Sequence, residues 1–168
     1  AIEELKIYKE FGGETIVELS TNGIKPDPIK LSKLSQETGV NIILGTGFYT
    51  EDYMDEKTLN SSVEDFRILM SQHLYDGFDG TNIRAGLIGE LGCSWHLKET
   101  EKKNLHAALE IQDETGVTIS IHPGRHRDSP QEIINYLENF KVNPTKTIIC
   151  HADRTLTNID DILLILNK

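Results

Sequence analysis

Three segments of the chain end in side chains that can bind a metal ion. Two short β-branched runs end on His122 and His151, and an apolar, glycine-rich run ends on Glu90. Continuous apolar runs of this length are typical of strands in a buried parallel sheet. The carboxyl ends of such strands are where barrel enzymes carry their chemistry. The three residues therefore predict a hydrolase site that uses a divalent metal ion.

Each of these residues also has an interpretation without a metal. A single histidine at a strand end is usually structural, but two at equivalent ends favour a pair of ligands. Glu90 lies in a run that is otherwise apolar, where burying a carboxylate without a cation would be costly. The alternative to a metal there is a buried ion pair with Arg84 or Arg125.

Two arginines follow the candidate histidines by three positions each. Arg125 and Arg154 could hold an anionic group of a substrate. They could equally pair with a carboxylate of the chain, for which the candidates are Asp128, Asp153 and Glu18. The remaining histidines are predicted to lie on helix or loop surfaces without a role: His73, His96, His106 and His126.

The chain alternates between strand and helix patterns five times. Strands are predicted at residues 15–19, 40–44, 84–90, 117–122 and 146–150. Helices are predicted at residues 2–11 and 27–38, near 57–75, at 99–115, from a Ser129 cap onward, and around 159–166. This order predicts an α/β fold with a parallel sheet.

Five strand–helix units could form an open doubly wound sheet or part of a barrel. Candidate ligands stand at the ends of at least three strands, which favours a barrel mouth over the single switch point of a doubly wound sheet. The Gly45-Thr46-Gly47 segment lacks the third glycine of a dinucleotide fingerprint, because Thr50 occupies that place. We interpret it as a tight turn that brings Tyr49 to a pocket.

Composition excludes some classes of partner. A net charge of −10 over 168 residues argues against nucleic acid, and no apolar run approaches membrane length. The two cysteines, Cys93 and Cys150, are predicted to be buried, reduced thiols, which favours the cytoplasm. The chain begins at Ala1 and stops after an apolar stretch, so both ends look like cuts.

Five segments closely resemble the phosphotriesterase-related proteins, which belong to the amidohydrolase superfamily of metal-dependent hydrolases. They are residues 12–18, 45–49, 88–95, 122–125 and 151–155. These segments follow the family's order and spacing over nearly the whole chain. The resemblance implies a (β/α)8 TIM barrel with two divalent metal ions, usually zinc, at the carboxyl ends of its strands. This chain would supply strands two to six of that barrel.

The resemblance also implies ligand roles. His122 and His151 match the ligands from the fifth and sixth strands, and Glu90 matches the glutamate that replaces a carboxylated lysine as the bridging ligand. Glu90 is offset by one residue from the lysine pattern, which would turn it to the other face of a regular strand. A β-bulge near Gly89 would restore its direction. Manganese, iron or cobalt could occupy the same donors in place of zinc.

Two parts of the family's site have no counterpart in this sequence. They are the His-x-His pair of the first strand and the catalytic aspartate of the eighth strand. We therefore expect residues 1–168 to form a single but incomplete barrel domain. Its unpaired sheet edges and uncovered apolar faces predict that the isolated chain is inactive as a hydrolase and prone to association, including with copies of itself.

The resemblance implies an activity for the parent protein. The expected reaction is hydrolysis of the amide bond of N-acetyltaurine or similar N-acyl amino acids by a metal-bound hydroxide. Arg125, Arg154 and Tyr49 are the candidate contacts to this small anionic substrate. The alternatives are a lactonase or organophosphate hydrolase, or a non-catalytic barrel fragment that acts as an interaction module.

Overall fold

The strands lie side by side in the order in which they occur along the chain. In the computed structural model, which describes residues 1–166, all four neighbouring pairs are parallel. The strands are β1 (Thr15–Glu18), β2 (Asn41–Thr46), β3 (Leu87–Gly92), β4 (Ile119–His122) and β5 (Thr147–Ile149). A doubly wound sheet reverses its order at a switch point, whereas a barrel adds strands sequentially. The predicted α/β fold and partial barrel are confirmed.

Helices connect the strands in the predicted order, with one predicted helix divided and one short helix added. They are α1 (Ile2–Glu10), α2 (Pro28–Thr38), α3 (Glu56–Leu59), α4 (Val63–Tyr75), α5 (Glu99–Thr115), α6 (Ser129–Leu137), α7 (Ala152–Thr155) and α8 (Ile159–Leu166). Short 3-10 turns occur at Glu51–Tyr53 and Pro144–Lys146. The described part of the chain contains no helix of the length and apolarity needed to cross a membrane.

The single helix predicted near residues 57–75 is wrong, because it is divided into α3 and α4. Ser62 begins α4 with a capping box: its hydroxyl accepts from the Asp65 amide, and the Asp65 carboxylate accepts from the Ser62 amide. This reciprocal pair satisfies amides that would otherwise lack partners at a helix start.

The prediction that Ser129 caps α6 is also wrong. It is the first helical residue after Asp128, and its hydroxyl accepts from the Gly124 amide at 2.8 Å.

The hydrophobic core lies between the sheet and helices α4, α5 and α6. Its most buried members are Phe66, Met70, Ile88, Leu91, Leu105, Ile111, Ile119, Ile121 and Ile133. The opposite face of the sheet is more open. Val17 stands beside Ile43 in the strand register, and both are exposed, as is Ile148 of β5. These positions correspond to the interior of a closed barrel.

The prediction that His73 lies on the surface is wrong. Its side chain is only 4% exposed, and Nδ1 lies 2.8 Å from the Thr46 hydroxyl at the end of β2. The ring also packs on Phe78, with ring centroids 4.2 Å apart. His73 follows Phe66 and Met70 at helical spacing, so the buried face of α4 continues through it.

We expect His73 to make the stability of the fold sensitive to acid. Burial lowers the pKa of its imidazole, and the charge of Asp79 offsets this only in part. A histidine in an unfolded chain has a pKa of about 6.5. Between that value and the lower pKa of folded His73, the unfolded chain binds more protons than the folded chain. The free energy of unfolding should therefore fall as the pH drops through that value towards the lower folded-state pKa.

Urea denaturation at about pH 7.5 and about pH 5.5 measures this effect. The His73→Gln variant should lose less stability between the two conditions than the wild type. His106→Gln, at a half-exposed position on α5, serves as the control and should behave as the wild type. An equal loss in the wild type and His73→Gln would contradict the prediction.

Candidate metal centre

A β-bulge in β3 sets the direction of the Glu90 side chain. The pairing of β3 with β4 shifts register between Ile88 and Leu91, and Gly89 has φ +124°. A Cβ atom on Gly89 would lie 2.2 Å from the Ser120 carbonyl oxygen, so only glycine fits there. The bulge expected near Gly89 is therefore confirmed, and it offsets the one-residue shift of Glu90.

The bulge carries the backbone of β3 across the end of β2. The Gly89 carbonyl oxygen lies over Gly45, where a Cβ atom would be only 1.7 Å away. Beyond it, the Glu90 amide faces the Leu19 carbonyl at 3.4 Å, and the Thr21 hydroxyl donates to the Glu90 carbonyl at 3.2 Å. The prediction that Gly45 belongs to a turn is wrong, because it lies within β2 and makes room for the bulge.

The structure brings the three predicted ligands together at the carboxyl ends of β3, β4 and β5. Glu90 Oε2 lies 2.8 Å from His122 Nδ1, and Glu90 Oε1 lies 3.0 Å from His151 Nε2. One donor atom from each of the three residues lies within 4.8 Å of the other two. The Glu90 side chain is 13% exposed, whereas that of His151 is 45% exposed. Glu90 thus faces the two histidines and not Arg84 or Arg125.

Glu90 is a carboxylate at neutral pH. Burial raises the pKa of its carboxyl, but the hydrogen bond with His122, the histidine charges and a hydrogen bond from Cys150 outweigh burial and lower it. An anionic oxygen pair between two imidazoles is a donor set that suits Zn²⁺ and other first-row divalent ions. The residues present therefore fit a metal ion, and their role as ligands stays a prediction.

Tyr49 contacts the outer nitrogen of His122. Its hydroxyl lies 3.1 Å from His122 Nε2, and the two rings meet edge to face at 5.1 Å. Burial and the negative charge of Glu90 raise the pKa of Tyr49, so the phenol remains protonated. A partner on the second nitrogen of a histidine fixes the orientation of its ring. Tyr49 thus lies at the predicted site, where it contacts a candidate ligand directly.

Both candidate arginines lie near this tyrosine. The positive charges of Arg154 and Arg125 act to lower the pKa of Tyr49, which places them around the centre. Arg154 donates to the Pro123 carbonyl at 2.7 Å, whereas Arg125 is exposed and forms no ion pair or hydrogen bond within residues 1–166. Within the same range, neither arginine pairs with Asp128, Asp153 or Glu18. Arg125 is therefore the freer cation beside the centre.

Sequence reasoning missed the contact of Cys150 with the centre. Its Sγ lies 3.1 Å from the Ser120 hydroxyl, and the thiol is near enough to Glu90 to help lower the pKa of that carboxyl. Burial raises the pKa of Cys150, so the thiol keeps its proton and can donate it to the carboxylate. The position directly before His151 is the signal that could have revealed this contact. Cys93 is fully buried, as predicted, but Cys150 is only partly buried.

The sequence and the fold both match known proteins over nearly the whole chain. The profile of the phosphotriesterase family matches residues 1–167. The chain is 45% identical over 154 residues to the N-acetyltaurine hydrolase of Xenopus tropicalis, covering 92% of this chain and 44% of that protein. It is 42% identical over 157 residues to the phosphotriesterase-related protein of Nematostella vectensis, covering 94% and 45%.

A solved structure agrees with the sequence comparison. The resiniferatoxin-binding protein from Rhodobacter sphaeroides superposes with a TM-score of 0.91 at 32% identity, covering 98% of this chain and 46% of that one. The chain spans less than half the length of each of these three proteins. The family profile covers almost every residue, and the two curated relatives are 45% and 42% identical. The chain belongs to the phosphotriesterase family.

Proposed function

We propose that Glu90, His122 and His151 bind divalent metal ions, with zinc as the first candidate, in a hydrolase to which this chain contributes. The observation that carries the proposal is that the two oxygens of Glu90 face different histidines, at 2.8 and 3.0 Å. A carboxylate placed in this way can bridge two cations, which supports a pair of ions and not a single one. Bound divalent ions would acidify a water molecule for attack and polarise the bond to be cleaved.

The chain's own residues then hold and orient the groups around the reaction. Tyr49 holds His122 at Nε2, which leaves Nδ1, at 2.8 Å from Glu90 Oε2, as the nitrogen that would bind an ion. The phenol can donate or accept a hydrogen bond, so it holds the ring whichever nitrogen carries the proton. Arg125, as the freer cation, would bind a negative group of the substrate.

The substrate class follows from this cation and from the relatives. We propose an N-acyl amino acid or amino sulfonate, with N-acetyltaurine first, since the Xenopus tropicalis relative carries that name. Water would cleave the amide bond and release a carboxylic acid and an amine. The sulfonate or carboxylate of the amine half would face Arg125. We also propose a cytoplasmic location, which the two free cysteines support.

A chimera tests this proposal in a complete barrel. This chain replaces the matching segment of the Xenopus tropicalis enzyme, and the product is loaded with zinc. We expect hydrolysis of N-acetyltaurine that is lost after chelation and in the His151→Ala variant. A folded, metal-loaded chimera that cleaves only lactones or phosphotriesters would favour that alternative. One that cleaves none of these would favour the non-catalytic interpretation.

The same chimera tests the role of Arg125. Arg125→Met should raise KM for N-acetyltaurine by about tenfold or more, because a charge-assisted hydrogen bond is lost. The value of kcat should change little, since Arg125 forms no hydrogen bond or ion pair with Glu90, His122 or His151 in the structure. Arg127→Met, at an exposed position two residues later that pairs with Asp161, is the control. An unchanged KM would remove Arg125 from the substrate site.

A further inference from the structure

A buried carboxylate outside the metal centre joins the loops that surround it. Glu101, in the first turn of α5, is 0% exposed. Its Oε1 accepts from the Glu51 amide at 3.1 Å and the Ser94 hydroxyl at 2.7 Å. Its Oε2 accepts from the Ser94 amide at 2.8 Å and the Lys98 amide at 3.1 Å. Four donors converge on it, so it acts only as an acceptor.

All four donors lie outside α5, and only one of them belongs to the residue that caps the helix. A carboxylate in a helix's first turn ordinarily bonds the amide just before the helix, which here is that of Lys98. The other three donors belong to the loops that follow β2 and β3. A buried carboxylate that accepts several charge-assisted hydrogen bonds holds the donor loops firmly in place. If the carboxylate were removed, each donor would lose its partner, at a cost in free energy. Helix capping therefore accounts for only one of the four bonds.

The loop after β2 leads directly to the metal centre. Glu51 stands two residues after Tyr49, whose hydroxyl contacts His122 Nε2. The same loop is pressed against the end of β3: the Gly92 amide donates to the Phe48 carbonyl, and a Cβ on Gly92 would lie 2.2 Å from the Thr50 nitrogen. The bond from the Glu51 amide to Glu101 therefore restrains the same loop that carries Tyr49.

The loop after β3 leads to the neighbouring strand end. Ser94 precedes Trp95, whose ring stacks on His126 with centroids 4.5 Å apart and planes within 3°. The Trp95 backbone packs so closely on Gly124 that a Cβ there would lie 2.8 Å from the Trp95 nitrogen. Glu101 thus links two loops, and each of them contacts residues that follow or belong to β4.

We propose that Glu101 is a positioning residue of the metal centre, acting through Tyr49 on the orientation of His122. This inference rests on the proposed function for its effect on metal binding. Its effect on the loops does not depend on a metal. Trp95 is the single tryptophan of the chain, so its fluorescence reports the loop after β3 directly.

The test compares Glu101→Gln with Glu99→Gln in the 168-residue chain. Glutamine keeps the size of the side chain but presents an NH₂ group to two of the four donors. Glu99 lies in the same turn with a side chain that is 83% exposed and pairs with Lys102, so it is a matched control. We expect Glu101→Gln to shift the Trp95 emission and to weaken zinc binding about tenfold, the scale of losing an outer partner of a ligand. Far-UV circular dichroism should not change.

A double-mutant cycle separates positioning from general destabilisation. If Glu101 acts through Tyr49, the effects of Glu101→Gln and Tyr49→Phe on the zinc Kd should not add. Additive effects, or an unchanged Trp95 emission and zinc Kd in folded Glu101→Gln, would overturn the proposal. If Glu101→Gln does not fold, Ser94→Ala removes one donor and should shift both readouts in the same direction, and no shift would also overturn it. Failure of the wild type to bind zinc would instead refute the proposed function.

Discussion

Replacing Glu90 by glutamine should abolish zinc binding by this chain. The change removes the negative charge between His122 and His151 and turns an NH₂ group towards one of them. Loss of an outer partner of a ligand costs up to about 100-fold in metal affinity, and loss of a bridging ligand should cost more. Isothermal titration with zinc at neutral pH measures the effect.

The control for this prediction is an exposed carboxylate on the same molecule. Glu110→Gln on α5 removes the same charge from a site that pairs only with His106 among the described residues, and it should bind zinc as the wild type does. Circular dichroism establishes that both variants fold. A zinc Kd for Glu90→Gln within a few-fold of the wild-type value would remove Glu90 from the ligand set.

Replacing Gly45 by alanine should have the largest effect on stability. The added Cβ would lie 1.7 Å from the Gly89 carbonyl oxygen, a backbone atom that cannot move without breaking the bulge. We expect the free energy of unfolding to fall by about 3 kcal/mol, the upper range for overpacking. Zinc binding should weaken as well, because the bulge directs Glu90. Urea denaturation and zinc titration measure the two effects.

Gly80→Ala is the matched control for Gly45→Ala. Gly80 has φ +72°, and a Cβ there would meet nothing within 4 Å. Alanine at this position should lower the free energy of unfolding by only about 1 kcal/mol, because a side chain is strained in a left-handed backbone conformation. The zinc affinity should be unchanged. Similar losses in the two variants would show that the bulge does not depend on the space above Gly45.

The order of the elements could be predicted because each depends on local residues. The strand runs are apolar and β-branched, the helices have caps and a 3.6-residue period, and both features appear in short windows. Glu90, His122 and His151 could be found for the same reason, since each interrupts an apolar run. The bulge at Gly89 could be expected only through the family resemblance, because Glu90 is offset by one residue from the lysine of the related enzymes.

Other features depend on contacts that no short window contains. Glu101 accepts from Glu51, 50 positions earlier in the chain, so nothing near either residue announces their bond. Gly45 resembled a turn glycine because the carbonyl that needs its space comes from Gly89, on another strand. His73 is different: it continues the helical spacing of Phe66 and Met70, and the period should have outweighed the polarity of its side chain.

The bulge also ties the metal centre to a distant part of the chain. Glu90 bonds through its backbone to Leu19 and Thr21, just beyond the end of β1, although β2 lies between β1 and β3. An ion held by Glu90 would bind best when β1 is paired in the sheet and the bonds of Glu90 to Leu19 and Thr21 are formed. Zinc would therefore act as a ligand that stabilises this paired state of β1. At 100 times its Kd, such a ligand stabilises the bound state by about 2.7 kcal/mol. Amide hydrogen exchange in β1 should therefore slow as zinc rises, which makes the amino-terminal strand a reporter of a site formed some seventy residues later.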